Sequence, residues 1–238
     1  MTSTDKVTSV ETFLGKVWEF KDSAHVHLYR GQCKDQPLLP KLFRSPREAG
    51  TIRTTEDKLL YRFKNRSPYL LPTKPDNDWD WLSLGQHFGL PTRLLDWTGN
   101  PLSALFFALD ADAHPSPTVY VYHGKENQIV KEDDKRKEHP FKIDQTRIFQ
   151  PTGHSPRVAM QAGWHTVHRL HGVKEGGPHF LPLNDMKIHR QRLDKVEIDP
   201  SAVGKLRREL EQMGIRHATI YGDLHMVCVS IAREFQIK

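Results

Sequence analysis

The densest chemistry in the sequence lies in Gln86-His87-Phe88-Gly89-Leu90-Pro91-Thr92-Arg93-Leu94-Leu95-Asp96-Trp97-Thr98. Donors, acceptors and charges alternate there with aromatics, immediately ahead of an apolar run. Packing alone does not call for such a mixture. A core strand has no need of Arg93 and Asp96 three residues apart, and a surface loop has no need of Trp97. Polar groups gathered at the mouth of an apolar element line pockets. The competing reading is a scaffold, in which a buried Arg93–Asp96 ion pair holds the loop and the backbone satisfies Gln86 and His87. A second segment, Tyr29-Arg30-Gly31-Gln32, places an arginine at the end of a strand. The glycine after it lets a ligand or another backbone come close, which suits a clamp on phosphate or carboxylate.

Local patterns supply the elements that must position these groups. Val10, Phe13, Leu14, Val17 and Trp18 share one helical face, with a capping box from Thr8 to Glu11. Val26–Arg30 alternates as a strand and stops at Gly31. Residues 54–66 read as a helix with Leu59, Leu60 and Phe63 inward and Glu56 and Asp57 in its first turn. A loop, 72–80, precedes a short helix through Trp81, Leu82 and Leu84. Asn100-Pro101 starts a helix, since Asn caps and Pro fits the first position. The run it opens, 102–109, is apolar all round and is expected to be buried.

Thr118–His123 reads as a buried strand and 124–141 as a charged, mobile surface loop. Residues 193–198 form a strand. Asp199-Pro200 opens a helix with Val203, Leu206, Leu210 and Met213 inward, ending at Gly214. Residues 218–221 read as a short strand, and Asp223 begins a last helix. Strands and helices interleave without repeat or linker, which predicts an α+β fold: one mixed α/β domain over 1–238, with the helix of residues 1–24 packed on it.

Composition narrows the function classes. The 238 residues carry 35 Lys+Arg and 29 Asp+Glu, a formal charge of +6, with 37% hydrophobic residues. Residues 1–119 hold 15 basic and 14 acidic side chains, so nearly all of the excess lies in the second half. That distribution is compatible with an anionic partner or with an ordinary solvated surface. Two cysteines make no disulfide framework, and no signal peptide opens the chain, so a cytoplasmic location is expected. The longest apolar runs, 102–109 and 226–232, fall well short of a bilayer span, so no membrane role is expected.

Taken together, Tyr-Arg-Gly-Gln at 29–32, Leu39-Pro40, Phe43-Arg44, the segment Gln86–Thr98 and Asn100-Pro101 resemble the FRG domain family, named for an aromatic-Arg-Gly near its start. Arg157-Val158-Ala159-Met160-Gln161-Ala162-Gly163-Trp164 is similar to the family's Arg-x-x-x-Gln-x-Gly-aromatic segment, and Tyr221-Gly222-Asp223-Leu224 to its late Phe-Pro-Asp-Leu. Two departures stand out: Tyr221-Gly222 replaces Phe-Pro, and His165 stands where a hydroxyl residue often follows the aromatic.

The order of groups in turn resembles that of ADP-ribosyltransferases, which implies a split sheet with surrounding helices and NAD as substrate. In that likeness Arg30 holds the pyrophosphate, and Trp97 or Trp164 stacks on nicotinamide. Asp96 or Asp223 faces the ribose, and Thr98 sits at the entry of the central helix. Tyr29, Gly31, Gln32, Gln86, His87, Thr92, Arg93, Arg157 and Gln161 complete the ligand-binding set. The acceptor is a protein or nucleic acid, and the implied setting is a bacterial or phage toxin or defence effector.

Two other classes remain open on sequence. One is a nucleic-acid-binding protein or nuclease without NAD, using Lys205, Arg207 and Arg208 with Arg190 and Arg192. The other is a non-catalytic interaction module. No zinc-finger, Walker or dinucleotide glycine pattern occurs. His165, His168 and His171 recur every three residues, a spacing that shares no strand face, so no metal is expected.

Overall fold

The computed structural model describes residues 6–20, 24–44, 49–111, 113, 115–152, 156–169, 182–185 and 192–235. Its strands are β1 (Val26–Gln32), β2 (Leu94–Thr98), β3 (Thr118–Gly124), β4 (Arg147–Phe149), β5 (Gly163–Val167) and β6 (Leu193–Glu197). The helices, in chain order among the described residues, begin with α1 (Val10–Glu19), α2 (Ala49–Arg66), α3 (Asp78–His87) and α4 (Pro101–Leu109). They continue with α5 (Glu132–Lys135), α6 (Pro156–Met160), α7 (Val203–Gln212), α8 (His217–Tyr221) and α9 (Leu224–Glu234).

All six strands pair antiparallel in the order β4-β5-β2-β1-β3-β6. The central junction is thin. β1 meets β2 through one register pair, Tyr29 with Thr98, while β1 matches β3 from Val26–Gly124 to Gln32–Thr118. The sheet therefore parts into two three-stranded halves along a seam between β1 and β2.

One face of the sheet carries two separate groups of helices. Over the β1-β3-β6 half, α1, α4 and α7 bury Phe13, Leu105, Val119, Val196 and Leu206. Over the β4-β5-β2 half, α2 and α3 bury Leu60, Trp79, Leu94, Phe149 and Val167. The opposite face packs Leu28, Leu95, Trp97, Tyr122 and Ile148 beneath Leu38 and Leu183. Each such large apolar side chain contributes about 1.5–3 kcal/mol on burial.

Local chemistry explains how α4 is set on the sheet. The Asn100 side chain accepts from the Leu102 N–H at 2.9 Å, and Pro101 occupies the first turn. Gly31 then allows α4 to lie directly against β1: a Cβ there would sit 1.8 Å from the Ala104 carbonyl oxygen. The approach permitted by this glycine is that of a helix backbone, and β1 runs on through Gly31 to Gln32.

Several expectations are corrected. The cap of α1 is Ser9 with Thr12, one residue beyond the expected box, and Trp18 is exposed rather than inward. Residues 217–221 are helix α8, not a strand. Helix α2 begins five residues before position 54, which moves Glu56 out of the first turn into the helix body. The 124–141 segment is not a free surface loop. Gln128, Val130, Lys135 and Phe141 are buried, and the Lys135 ammonium reaches Thr152 Oγ1 at 3.0 Å and Asp80 Oδ1 at 3.5 Å. Lys135 is an inward-facing tether among charges that are otherwise largely exposed, a difference composition alone does not show. No helix among the described residues is long and apolar enough to cross a membrane.

Candidate functional site

The last turn of α3 delivers Gln86, and Gly89, in the left-handed region at φ 91°, turns the chain toward β2. Along β2 every residue is buried except Asp96, whose side chain is 62% exposed. An accessible carboxylate on an interior strand means that the two helical groups leave an opening over the middle of the sheet. Asp96 lies at its floor, beside the seam.

Three side chains organise that carboxylate. Gln86 Nε2 donates to Asp96 Oδ1, while Thr92 Oγ1 donates to Gln86 Oε1. Across the β2–β5 pair, Asp96 faces His165, whose Nδ1 lies 3.2 Å from the same Oδ1, off the line of an ideal hydrogen bond. The buried imidazole rests beside Phe149, with ring centroids 5.2 Å apart, and its Nε2 is 2.8 Å from Ser83 Oγ. Crowding by the protein pushes the Asp96 carboxyl up, but the hydrogen bond and charge of His165, the Arg30 charge and the Gln86 bond outweigh it. The carboxyl is held at about 2.

Arg30 bridges the seam. Its Nη1 donates to the Asp96 backbone carbonyl at 2.7 Å, while its buried Nε has no hydrogen-bond partner. Burial lowers its pKa, the Asp96 charge raises it, and the charge of Arg44, at the end of a turn spanning Lys41–Arg44, lowers it again. Burial likewise raises the Tyr29 pKa. Arg30 thus lies within electrostatic reach of both the Asp96 carboxylate and the Arg44 guanidinium, whose Nε donates to the Leu39 carbonyl at 3.0 Å.

Other expected site residues turn out to be scaffold. Arg93 does not pair with Asp96 and does not reach the opening. It is fully buried, donates from Nε and Nη2 to Glu56 (2.7 Å for the Nε bond) and from Nη1 to the His168 carbonyl at 3.3 Å, and lies over the Phe141 ring. Burial pushes the Glu56 carboxyl up, against the pull of Arg93. Trp97 is buried on the opposite face, with its indole N–H donating to Thr166 Oγ1 at 3.0 Å, so it cannot stack on a ligand. Trp164, its half-buried cross-strand neighbour, packs against the same core. The buried Thr98 hydroxyl donates to the Gln161 carbonyl at 2.5 Å and accepts from the Asn100 N–H at 3.0 Å, which commits it to the turn into α4 rather than to catalysis.

The remaining residues divide between the seam and more distant places. Gln161 keeps a buried side-chain nitrogen without a hydrogen-bond partner, next to the Thr98 turn. Gln32 Oε1 accepts from the Gln36 N–H at 3.3 Å and so braces the exit of β1. His87 lies against Phe88 and lines a separate shallow cleft with Ser83, Asp80 and Thr152. Asp223 is exposed and caps α9, accepting from the Met226 N–H at 2.7 Å, and Gly222 before it is left-handed at φ 62°. This role commits Asp223 Oδ1 to the start of α9. The Arg157 side chain, like Arg190 and His171, lies outside the described residues. Among the described residues no group of three His, Cys, Asp or Glu side chains is arranged to hold a metal ion.

Sequence reasoning noted His165 as a departure from the family pattern and as a metal candidate, but assigned neither it nor Ser83 to the site. Their signals were the register of β5 against β2, which pairs 165 with 96, and the placement of Ser83 one turn before Gln86 on α3.

Residues 25–116 match the family model of the FRG domain. The chain carries an FRG domain. The matched span holds both Arg30-Gly31 and Gln86–Thr98, hence the seam, the open carboxylate and α4. The rest of the sheet, with His165 on β5, lies beyond the FRG match. Comparisons with curated proteins and with solved structures found no match.

Proposed function

We propose that the protein cleaves NAD and transfers ADP-ribose to a protein or nucleic-acid acceptor. The observation that carries this is Asp96: an ionised, solvent-open carboxylate on an interior strand, at a seam bridged by Arg30. Breaking the ribose–nicotinamide bond sends the bonding pair to the nicotinamide nitrogen, which leaves neutral, and positive charge grows over C1′ and the ring oxygen of the ribose. A fixed carboxylate beside that centre stabilises the change. At about 4 Å such an attraction amounts to about 1 kcal/mol in water and about 4 kcal/mol at a protein surface. The upper figure corresponds to about a thousandfold in rate. Arg30, with Arg44 near it, suits the pyrophosphate, and the unpartnered Gln161 amide supplies a further donor.

The nucleic-acid reading without NAD gains less support. Arg207 is engaged by the carbonyls of Leu109 and Ala111, and Lys205 lies 3.6 Å from Glu209, so α7 presents less free charge than its composition suggests. An activity of the proposed kind suits a toxin or defence effector.

The test is purified protein with NAD, alone and with cell extract or nucleic acid. Nicotinamide release and a raised melting temperature with NAD are expected, with release abolished by Asp96→Asn while the melting temperature without NAD falls only slightly. Absence of both release and stabilisation excludes ADP-ribosyl transfer.

A further inference from the structure

We propose that His165 is the positioning residue of this site: Ser83 holds its imidazole as the tautomer protonated at Nδ1, and the positive end of that N–H, set close to Asp96 Oδ1 beside the Gln86 bond, favours the rotation in which Oδ2 is the oxygen presented to the ligand.

The geometry leads there in three steps. His165 Nδ1 stands 3.2 Å from Asp96 Oδ1. An unprotonated Nδ1 would set its lone pair against a nearby anionic oxygen, whereas an N–H there is attracted to it, so the proton belongs on Nδ1. Neutral imidazole then carries a lone pair at Nε2, and the partner of Nε2 must donate. Ser83 Oγ is that partner at 2.8 Å. A serine inside a helix commonly turns its hydroxyl back to a carbonyl one turn earlier. Here the hydroxyl is instead directed at a histidine on another element. Phe149 flanks the ring, and His165 is only 7% exposed, so the imidazole is held while the carboxylate it addresses is open.

The arrangement has the connectivity of a serine–histidine–aspartate hydrolase triad with its exposure reversed. Ser83 is buried at 5% and Asp96 is open at 62%, so the order of support runs outward to the carboxylate. The Gln86 amide donates to Oδ1, and His165 Nδ1 lies 3.2 Å from the same oxygen, off the hydrogen-bond line. Among the described residues, Asp96 Oδ2 receives no hydrogen bond. One hydrogen bond and one close polar contact on Oδ1 favour a single rotation of a side chain that solvent would otherwise leave free, which is how a supporting shell acts on a reacting group.

The tautomer stands independently of the chemistry; the catalytic consequence rests on the ADP-ribosyl-transfer reading. Nitrogen NMR of the full chain with the imidazole neutral decides the first. For His165 the expected spectrum shows a protonated Nδ1 and an unprotonated Nε2, and Ser83→Ala shifts it toward a mixture. A wild-type spectrum with the proton on Nε2 overturns the proposal, whether or not any variant folds.

Two substitutions then test positioning. The Asn amide nitrogen coincides with Nδ1 of His and the Gln amide nitrogen with Nε2. His165→Asn is expected to keep nicotinamide release within about threefold, while His165→Gln lowers kcat about tenfold at unchanged KM. Equal loss in both variants overturns positioning. If NAD is not a substrate, the wild-type nitrogen spectrum still confirms or refutes the tautomer, so the two failures are distinguishable.

Discussion

Arg93 and Arg30 are both guanidiniums drawn into the sheet region, and they are treated in opposite ways. Arg93 meets a carboxylate in a two-point pair, a carbonyl and an aromatic face, with no exposed surface. Arg30 has one carbonyl, an unpartnered Nε and another arginine within electrostatic reach. Complete pairing is what a scaffold needs; incomplete pairing beside an open carboxylate is what the proposed ligand site rests on.

The largest effect separating the two is expected from Arg93→Ala. It leaves Glu56 as a buried, uncompensated charge and costs about 3–5 kcal/mol, read from denaturant unfolding. Replacing both partners, as Arg93→Met with Glu56→Leu, should recover most of that loss, because apolar groups of similar volume tolerate the site. A double variant no more stable than Arg93→Ala would show that the bonds to His168 and Phe141, not the ion pair, hold the segment. Arg30→Ala should change stability by about 1 kcal/mol or less, as expected for one net hydrogen bond, while removing the melting-temperature shift with NAD. If Arg30→Ala unfolds the protein as readily as Arg93→Ala, the contrast collapses and Arg30 is scaffold too.

The smallest effect lies in the acid limb of stability. The Asp96 carboxyl is held at about 2, below an unfolded value of about 3.9. Its contribution is thus present above about pH 4 and lost as pH falls toward 2. Exposure keeps the contribution small. Melting temperatures of wild type and Asp96→Asn compared between pH 2 and 4 should converge toward the acid end.

Much of the frame was legible in the sequence. Asn100-Pro101, the apolar run after it, the Val/Tyr-rich strand at 118 and the Asp199-Pro200 start each carry their own local physics, and each stands where expected, give or take a residue. The errors came from distance and period. Residues 93 and 96 are three apart, a spacing that makes neighbours on a helix but opposite faces on a strand, so the expected pair could not form once the segment was extended. The true partner, Glu56, lies 37 residues back. By the same alternation Trp97 goes to the far face when Asp96 goes to the open one. His165 was hidden because only the β2–β5 register, a tertiary fact, brings it to Asp96.

The thin junction between β1 and β2 also bears on how the chain acquires its shape. Strands are divided between the two halves out of chain order: β1, β3 and β6 to one side, β2, β4 and β5 to the other. Neither side is complete until residue 167 of one and residue 197 of the other have been made. With so many pairings between distant stretches, loop-closure entropy falls due before the contacts that offset it. Refolding should accordingly be slow, in the millisecond-to-second range typical of sheet-dominated folds. During synthesis the early strands must wait, unpaired at their edges, for the last third of the chain.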